Sequence, residues 1–203
     1  MKSADLRNTL DLTAPTIREV LEDRDFFLTH VPGDITYQED GFGKHAFGVL
    51  EPVDDPVRDV NAQLSAGGAD RLDTDHGGHL IGAQLGGFGG AENLEPQLGS
   101  LNQGKFKAME NDLRKTLDEG GTVWMDVQTY RDEDSLRPHT WLAGWVKEDA
   151  AGKREWGSLS FTNDANDVAQ EWRDGENTLD IHPDTLAVTE EELEAIADRY
   201  ADI

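Results

Sequence analysis

Apolar residues recur at helical spacing in three parts of the chain. A separation of three or four positions places such residues on one face of a helix. The three sets are Ile17, Val20 and Leu21; Phe106, Met109, Leu113 and Leu117; and Leu193, Ile196, Ala197 and Tyr200. The first set predicts a helix that begins near Pro15 and is capped by Thr13. The other two predict a helix over 102–117 and a terminal helix capped by Thr189.

Strand patterns occupy two regions, one before residue 54 and one after residue 121. Their apolar residues are largely β-branched or aromatic, and Gly, Pro, Asp and Asn mark the turns between them. The segments are FFLTHV, DITYQ, HAFGVLEPV, TVWMDVQTY, TWLAGWVKED and EWGSLSFTND. Between the two regions we predict a polar loop over 54–75, a short strand with a glycine-rich loop over 79–90, and irregular backbone or one helical turn over 91–100. Together these elements predict an α+β domain with an antiparallel sheet and flanking helices.

The net charge changes this picture, because it is strongly negative. Eighteen Lys and Arg face forty-two Asp and Glu, which gives a charge of −24 at pH 7 and a pI near 4.3. Such a charge opposes the binding of nucleic acid, whose phosphates repel an acidic surface. Two explanations are open. One is adaptation to high salt, since screening acts within about 3 Å at 1 M; the other is a local basic strip on an acidic body.

The chain has no cysteine, which excludes a disulfide, a thiolate metal site and a thiol nucleophile. No apolar run approaches the roughly 18 residues of a membrane span, so we expect no membrane partner. The N-terminal residues MKSADLRNTLDL lack the apolar core of a signal peptide. We therefore expect a cytoplasmic protein, one exported by another route, or a segment of a longer protein.

Residues 75–115 concentrate the side chains that suit hydrolysis of a phosphodiester. That reaction needs a base that takes a proton from water and a cation that stabilises the developing charge. Histidine titrates near neutral pH, and Mg²⁺ prefers oxygen ligands, one of which the substrate phosphate can supply. His79 lies on a predicted strand and Asn102 at a predicted helix start, so they are candidates for the base and the metal ligand. Asparagine is also a preferred helix cap, and capping and metal binding are not exclusive.

The same stretch resembles a known family. GGHLIGAQLGG, NLEPQ and LNQGKFKAMENDLR, in this order, are similar to the DNA/RNA non-specific endonucleases, which belong to the ββα-metal or His-Me finger nucleases. A weaker similarity extends through TVWMDVQTYRDEDSLRPHTW to FTND. The resemblance implies a ββα-metal core, Mg²⁺ or Mn²⁺ as the cofactor, and DNA as the substrate, with RNA as a further candidate.

The resemblance also implies roles for individual residues. His79 matches the general base, and Asn102 matches the asparagine that ligates magnesium. Asn93 matches an asparagine that shapes the site or orients the histidine. Glu110 matches a helix glutamate that holds metal-bound water, and Arg114 matches an arginine that contacts phosphate. The alternative for Glu110 and Arg114, which are four positions apart, is an ordinary surface ion pair.

One position departs from the pattern of the family. Many relatives have an arginine two positions before the base, where this chain has Gly77. Arg71 and His76 are candidates to replace its positive charge. We also predict that Arg71, Lys105 and Lys107 bind the substrate. The two lysines belong to a short strip of basic residues that begins at Lys105 and suits phosphate.

These inferences define three regions and a function. We predict an N-terminal helical arm over 1–25, a nuclease domain over 26–163, and an acidic C-terminal extension over 164–203 that packs on the domain. The predicted function is metal-dependent, non-specific cleavage of DNA, by a salt-adapted enzyme or by the toxin domain of a secreted or injected protein, with an immunity or inhibitor protein as a candidate partner. The alternative, favoured by the negative charge and by Gly77, is a catalytically decayed nuclease fold that acts as a binding module.

Overall fold

The computed structural model describes residues 14–164, which contain five α-helices, three 3-10 turns and seven strands. The helices are α1 (Ile17–Glu22), α2 (Phe26–Thr29), α3 (Val60–Ser65), α4 (Gly99–Gln103) and α5 (Lys105–Asp118). The strands are β1 (Ile35–Asp40), β2 (Gly43–Val49), β3 (Asp75–His79), β4 (Leu94–Leu98), β5 (Thr122–Tyr130), β6 (Thr140–Glu148) and β7 (Arg154–Thr162). The predicted terminal helix and nearly all of the acidic extension lie outside the described residues.

The strands form two antiparallel sheets. The larger has five strands in the order β1-β2-β5-β6-β7, and the smaller pairs β3 with β4. In the small sheet His79 stands opposite Leu94 and Asp75 opposite Leu98. Since α4 and α5 follow β4 directly, the chain from β3 to α5 forms a ββα unit. The predicted α+β fold with an antiparallel sheet is confirmed.

The large sheet is buried on both faces, because alternate residues of β5 enter different apolar clusters. Val123, Met125 and Val127 pack in the cluster that contains the apolar face of α5. Trp124 packs on the opposite face, in the cluster that contains Ile17 of α1. The predicted helix face is buried as a whole and consists of Phe106, Met109, Leu113 and Leu117. The ββα unit therefore lies on one face of the sheet and α1 on the other.

Two predictions at the N-terminal end need correction. The N-cap of α1 is Thr16, not Thr13, and Thr16 forms a capping box with Glu19. The predicted strand FFLTHV is instead the helical turn α2. Its apolar residues do not alternate into a core, since Phe26 is buried while Leu28 is 83% exposed. The adjacent Phe26 and Phe27 pack against the same apolar cluster, whereas successive side chains of a strand point to opposite faces.

The central region is more regular than its sequence indicates. The predicted loop over 54–75 contains α3, and the predicted irregular backbone over 91–100 contains β4. The strand β3 has the polar, glycine-containing sequence DHGGH. The predicted helix over 102–117 is divided at Gly104, whose φ of −101° and ψ of −110° are not helical. Asn102 therefore lies within α4 and does not cap the long helix.

A buried ion pair fixes the start of β3. The carboxylate of Asp75, which is fully buried, accepts hydrogen bonds from Arg137 Nε at 2.7 Å and Nη2 at 2.9 Å. The same carboxylate accepts from the backbone N–H of Leu72 at 3.0 Å. The pair joins β3 to the loop before β6. Because a buried charge without its partner is costly, the pair constrains where β3 can lie.

We expect Asp75→Ala to lower the free energy of unfolding by about 3 kcal/mol or more, because Arg137 would keep its charge without a partner. Urea unfolding of both proteins measures this difference. Asp73→Ala is the matched control, since Asp73 is exposed and two positions away; surface substitutions usually change stability by about 0.5 kcal/mol or less. Equal effects of the two substitutions would contradict the structural role of the Asp75 pair.

Candidate active site

A cleft of about 470 Å³ opens beside the end of β3. Its walls come from β3, α3 with its flanking residues, the loop after β3, α4 and α5. The lining residues are Arg58, Val60, Gln63, Leu64, Arg71, His76, Gly77, His79, Gly82, Ala83, Gln84, Asn102, Gln103, Lys107 and Glu110. Of the predicted site residues, the cleft thus brings together His79, Asn102, Glu110, Arg71 and Lys107.

His79 is the last residue of β3, and its ring is held largely out of water. Its Nε2 atom is buried and has no hydrogen-bond partner within residues 14–164. Burial lowers the pKa of His79 to about 4, and the positive charges of Arg58 and Lys107 add to the effect. The imidazole is therefore neutral at pH 7 and can accept a proton. A phosphate in the cleft would raise this pKa, because it stabilises the protonated ring.

Asn93 holds the backbone just after His79 in place. Its side chain is fully buried, accepts from Ile81 N–H at 2.9 Å and donates to Ile81 C=O at 2.8 Å. It also donates to Phe88 C=O at 2.7 Å. These three bonds fix the exit of β3 and the start of the glycine-rich loop. Asn93 thus positions the backbone, as one of the two roles implied for it requires, and it does not line the cleft.

Asn102 faces the cleft beside His76. Its Nδ2 lies 3.3 Å from His76 Nδ1, to which the amide can donate a hydrogen bond. With the amide nitrogen engaged in this way, the amide oxygen is the group available to a cation. His76 is thus placed to orient Asn102.

Glu110 reaches the cleft from the middle of α5. It is 7% exposed, and Lys107 Nζ donates to its Oε2 at 3.0 Å. Burial raises the pKa of Glu110, while the charges of Lys107 and Arg58 oppose that shift. Gly82 makes room for the carboxylate, since a Cβ there would lie 2.1 Å from Glu110 Oε1. The loop after His79 and the helix α5 therefore meet at this carboxylate.

Two further predicted site residues, Arg114 and Lys105, do not line the cleft. Arg114 is not among the residues that line the cleft, and it donates to Val53 C=O and Gln84 C=O as well as to Asp54 and Asp118. It ties the chain after β2 to α5. Lys105 is the first residue of α5 and is also absent from the lining. Their contacts with phosphate stay predictions.

The residues of the cleft fit a hard divalent cation. Asn102 and Glu110 offer an amide oxygen and a carboxylate, the ligand types that Mg²⁺ prefers, and one or two protein ligands suffice when water and phosphate complete the shell. Within the described residues no group of three or more His, Cys, Asp or Glu side chains converges on a common point. A cation held by Asn102 and Glu110 would therefore need water and phosphate to complete its shell.

The family follows from comparison with known proteins. The family model described as DNA/RNA non-specific endonuclease matches residues 28–144, which include the whole cleft. The chain belongs to this family. Membership supports a nuclease function and metal dependence. The resemblance drawn from the three motifs is thereby confirmed. No curated protein matches the chain.

Three solved structures are similar to this member of the family. The Sda1 nuclease with a bound zinc ion is 13% identical, with 64% of this chain and 74% of that chain covered and a TM-score of 0.47. EndoG in its complex with EndoGI is 13% identical, with 63% and 74% covered and a TM-score of 0.40. An extracellular endonuclease is 14% identical, with 81% and 87% covered and a TM-score of 0.44.

None of the described helices combines the length and the apolar character needed to cross a bilayer.

We expect the buried His79 to make stability depend on pH. The ring titrates near pH 6.5 in an unfolded chain and near 4 in the folded protein, so the unfolded state binds more protons between these values. The contribution of His79 to stability is therefore complete above pH 6.5 and is lost as the pH falls towards 4. Urea unfolding of the wild type and of His79→Gln isolates it, since the difference between their unfolding free energies should increase with pH over this interval. A difference independent of pH would contradict the assignment.

Proposed function

We propose that this protein is a metal-dependent endonuclease that cleaves DNA with little sequence preference. RNA is a further candidate substrate. One observation carries the proposal: in a chain of this family, His79, Asn102 and Glu110 line a single cleft although they come from β3, α4 and α5. A neutral base, an amide oxygen and a carboxylate are the groups that metal-assisted hydrolysis of a phosphodiester needs.

His79 is the proposed general base. Its ring is neutral and its Nε2 is uncommitted within the described residues, so it can take a proton from a water molecule that attacks phosphorus. Asn93 keeps the ring in position through the backbone of Ile81. The burial that keeps the ring neutral also strengthens each interaction within the cleft.

Asn102 is the proposed metal ligand, through its amide oxygen. A bound Mg²⁺ or Mn²⁺ supplies positive charge for the phosphate and the leaving oxygen. His76 orients Asn102 by accepting from its amide nitrogen. Glu110 accepts hydrogen bonds from the water around such an ion, and its salt bridge with Lys107 favours the charged carboxylate. Each of these roles belongs to a side chain that lines the same cleft.

The proposed lack of sequence preference follows from the kind of contacts that the cleft offers. Contacts with phosphate and sugar position a nucleic acid without reading its bases. The cleft is lined by three basic side chains and by a single carboxylate, that of Glu110, whereas the chain as a whole carries a charge of −24. This local excess of positive charge favours the second explanation of the acidic composition, a basic strip on an acidic body. Adaptation to high salt, a toxin role, export and an inhibitor partner stay predictions from the sequence.

We expect His79→Ala to lower cleavage by about 100-fold or more, because the proton acceptor is removed. Plasmid degradation in the presence of Mg²⁺ measures the activity, and thermal unfolding checks that the variant is folded. EDTA should abolish the activity of the wild type, and added Mg²⁺ should restore it.

A folded His79→Ala protein with undiminished activity would contradict the mechanism. Absence of cleavage by the wild type from low to molar salt, combined with retained binding of DNA, would favour the decayed binding module instead. Activity that persists in EDTA would overturn the metal requirement alone.

We expect Gly82→Ala to reduce cleavage by at least about tenfold with little loss of stability. The new Cβ would displace the Glu110 carboxylate, while the φ of −58° at Gly82 suits alanine. Cleavage assays and thermal unfolding measure the two effects separately. Gly41→Ala is the matched control, because a Cβ at Gly41 meets no atom within 4 Å. A Gly82→Ala protein as active as the Gly41→Ala protein would show that the position of Glu110 is unimportant.

A further inference from the structure

The backbone of α3 occupies the space beside Gly77. A Cβ at position 77 would lie 2.3 Å from Gln63 C=O oxygen and 2.6 Å from Gln63 Cα. Arg71 donates a hydrogen bond to that same carbonyl oxygen, which holds α3 against β3. An arginine side chain at position 77 is therefore incompatible with this packing. The packing of α3 thus requires a residue without a side chain at position 77.

The segment that enters this space also brings a different arginine to the cleft. Asp59 is the N-cap of α3 and accepts a hydrogen bond from Ala62 N–H at 3.0 Å. Arg58 immediately precedes this cap. It lines the cleft, and it also lines a neighbouring groove bounded by Tyr37 and the loop around Phe88. Arg58 thus stands where the two depressions join.

Arg58 differs from the other cations of the cleft in having no partner of its own. It is exposed, and its guanidinium has no hydrogen bond or ion pair with any residue of the described part of the chain. Arg71 donates to the backbone carbonyls of Gln63 and Asp75. Lys107 donates to Glu110. Among the residues that the structure describes, the donors of Arg58 can thus bind an anion without the loss of an existing bond.

The position of Arg58 relative to the candidate catalytic groups supports the same role. After burial, its positive charge is a further cause of the lowered pKa of His79, and it opposes the rise that burial produces in the pKa of Glu110. Arg58, His79 and Glu110 also line the same cleft. An anion bound by Arg58 would lie at the same place.

We propose that Arg58 binds a phosphate of the nucleic-acid substrate in the cleft, the function for which no arginine is available at position 77. The assignment rests on the proposed nuclease function. Arginine suits this task because its planar guanidinium can donate two parallel hydrogen bonds to one phosphate. The neighbouring groove then receives the adjoining part of the strand.

Binding without catalysis is the first test. The full-length chain in EDTA is titrated with a short fluorescein-labelled single-stranded DNA, and fluorescence anisotropy gives the affinity at several salt concentrations. We expect Arg58→Gln to weaken binding about tenfold at low salt, since a hydrogen-bonded charge pair is removed. The slope of log affinity against log salt should decrease in magnitude by about 0.7, the value for one phosphate contact with a single strand. Arg58→Lys should restore most of the slope and part of the affinity.

The matched control is Arg18→Gln. Arg18 is also an exposed arginine, with 48% of its side chain accessible, but it pairs with Glu22 on α1, at the opposite face of the large sheet. This variant should bind as the wild type does. Thermal unfolding of the three variants checks that α3 is not displaced.

Cleavage in Mg²⁺ is the second test. We expect Arg58→Gln to lower kcat/KM by about tenfold or more, with Arg58→Lys intermediate. If the wild type cleaves DNA and Arg58→Gln matches it in affinity, salt slope and kcat/KM, the assignment of Arg58 fails and the proposed function stands. If the wild type binds DNA but does not cleave it, the proposed function fails, while the binding test still decides the role of Arg58. If the wild type neither binds nor cleaves, both proposals fail.

Discussion

Three glycines near His79 allow neighbouring elements to pack closely around it. A Cβ would lie 2.3 Å from Gln63 C=O at Gly77, 2.4 Å from Gln97 Oε1 at Gly78, and 2.1 Å from Glu110 Oε1 at Gly82. Each contact brings a different element against β3 or against the loop that follows it: α3, β4 and α5 in turn. The helices α3 and α5 can line the cleft because the positions that they approach, Gly77 and Gly82, carry no side chain, while β4 pairs with β3. Larger residues at these positions would displace the partners and leave the histidine without its neighbours.

Burial and nearby charges together set the pKa values of His79 and Glu110 in the cleft. Removal from water disfavours the charged form of both His79 and Glu110, so the pKa of the first decreases and that of the second increases. The cations Arg58 and Lys107 reinforce the shift of the histidine and oppose that of the glutamate. The result is a neutral base beside a carboxylate that its salt bridge favours in the charged form. The same cations make the cleft basic although the chain is acidic, which is the local condition that a phosphate requires.

Much of the large sheet and of the candidate site could be predicted because its signals are local. The apolar face of α5 repeats at helical spacing, and five of the six predicted strand segments correspond to β1, β2, β5, β6 and β7. His79, Asn102 and Glu110 belong to short motifs whose order along the chain resembles the family, and all three line one cleft. The motif NLEPQ predicts that Asn93 shapes the site, and its bonds to Ile81 agree with that role. Periodicity and motif spacing need no knowledge of distant contacts.

Other features depended on tertiary structure, because their causes lie far apart in the sequence. The strand β3 is polar and rich in glycine, and it forms only because β4 pairs with it and Asp75 is held by Arg137, 62 positions away. The partners of Arg114 are likewise distant, so its position on α5 did not disclose that it ties the chain after β2 to the helix. The sequence by itself determined which residues resemble catalytic groups, since residue type and spacing are written in it. Only the tertiary structure decided that Arg58, which has no partner among the described residues, lines the cleft beside them. The contact between α3 and Gly77 joins two segments, and neither segment has a sequence pattern that predicts the other.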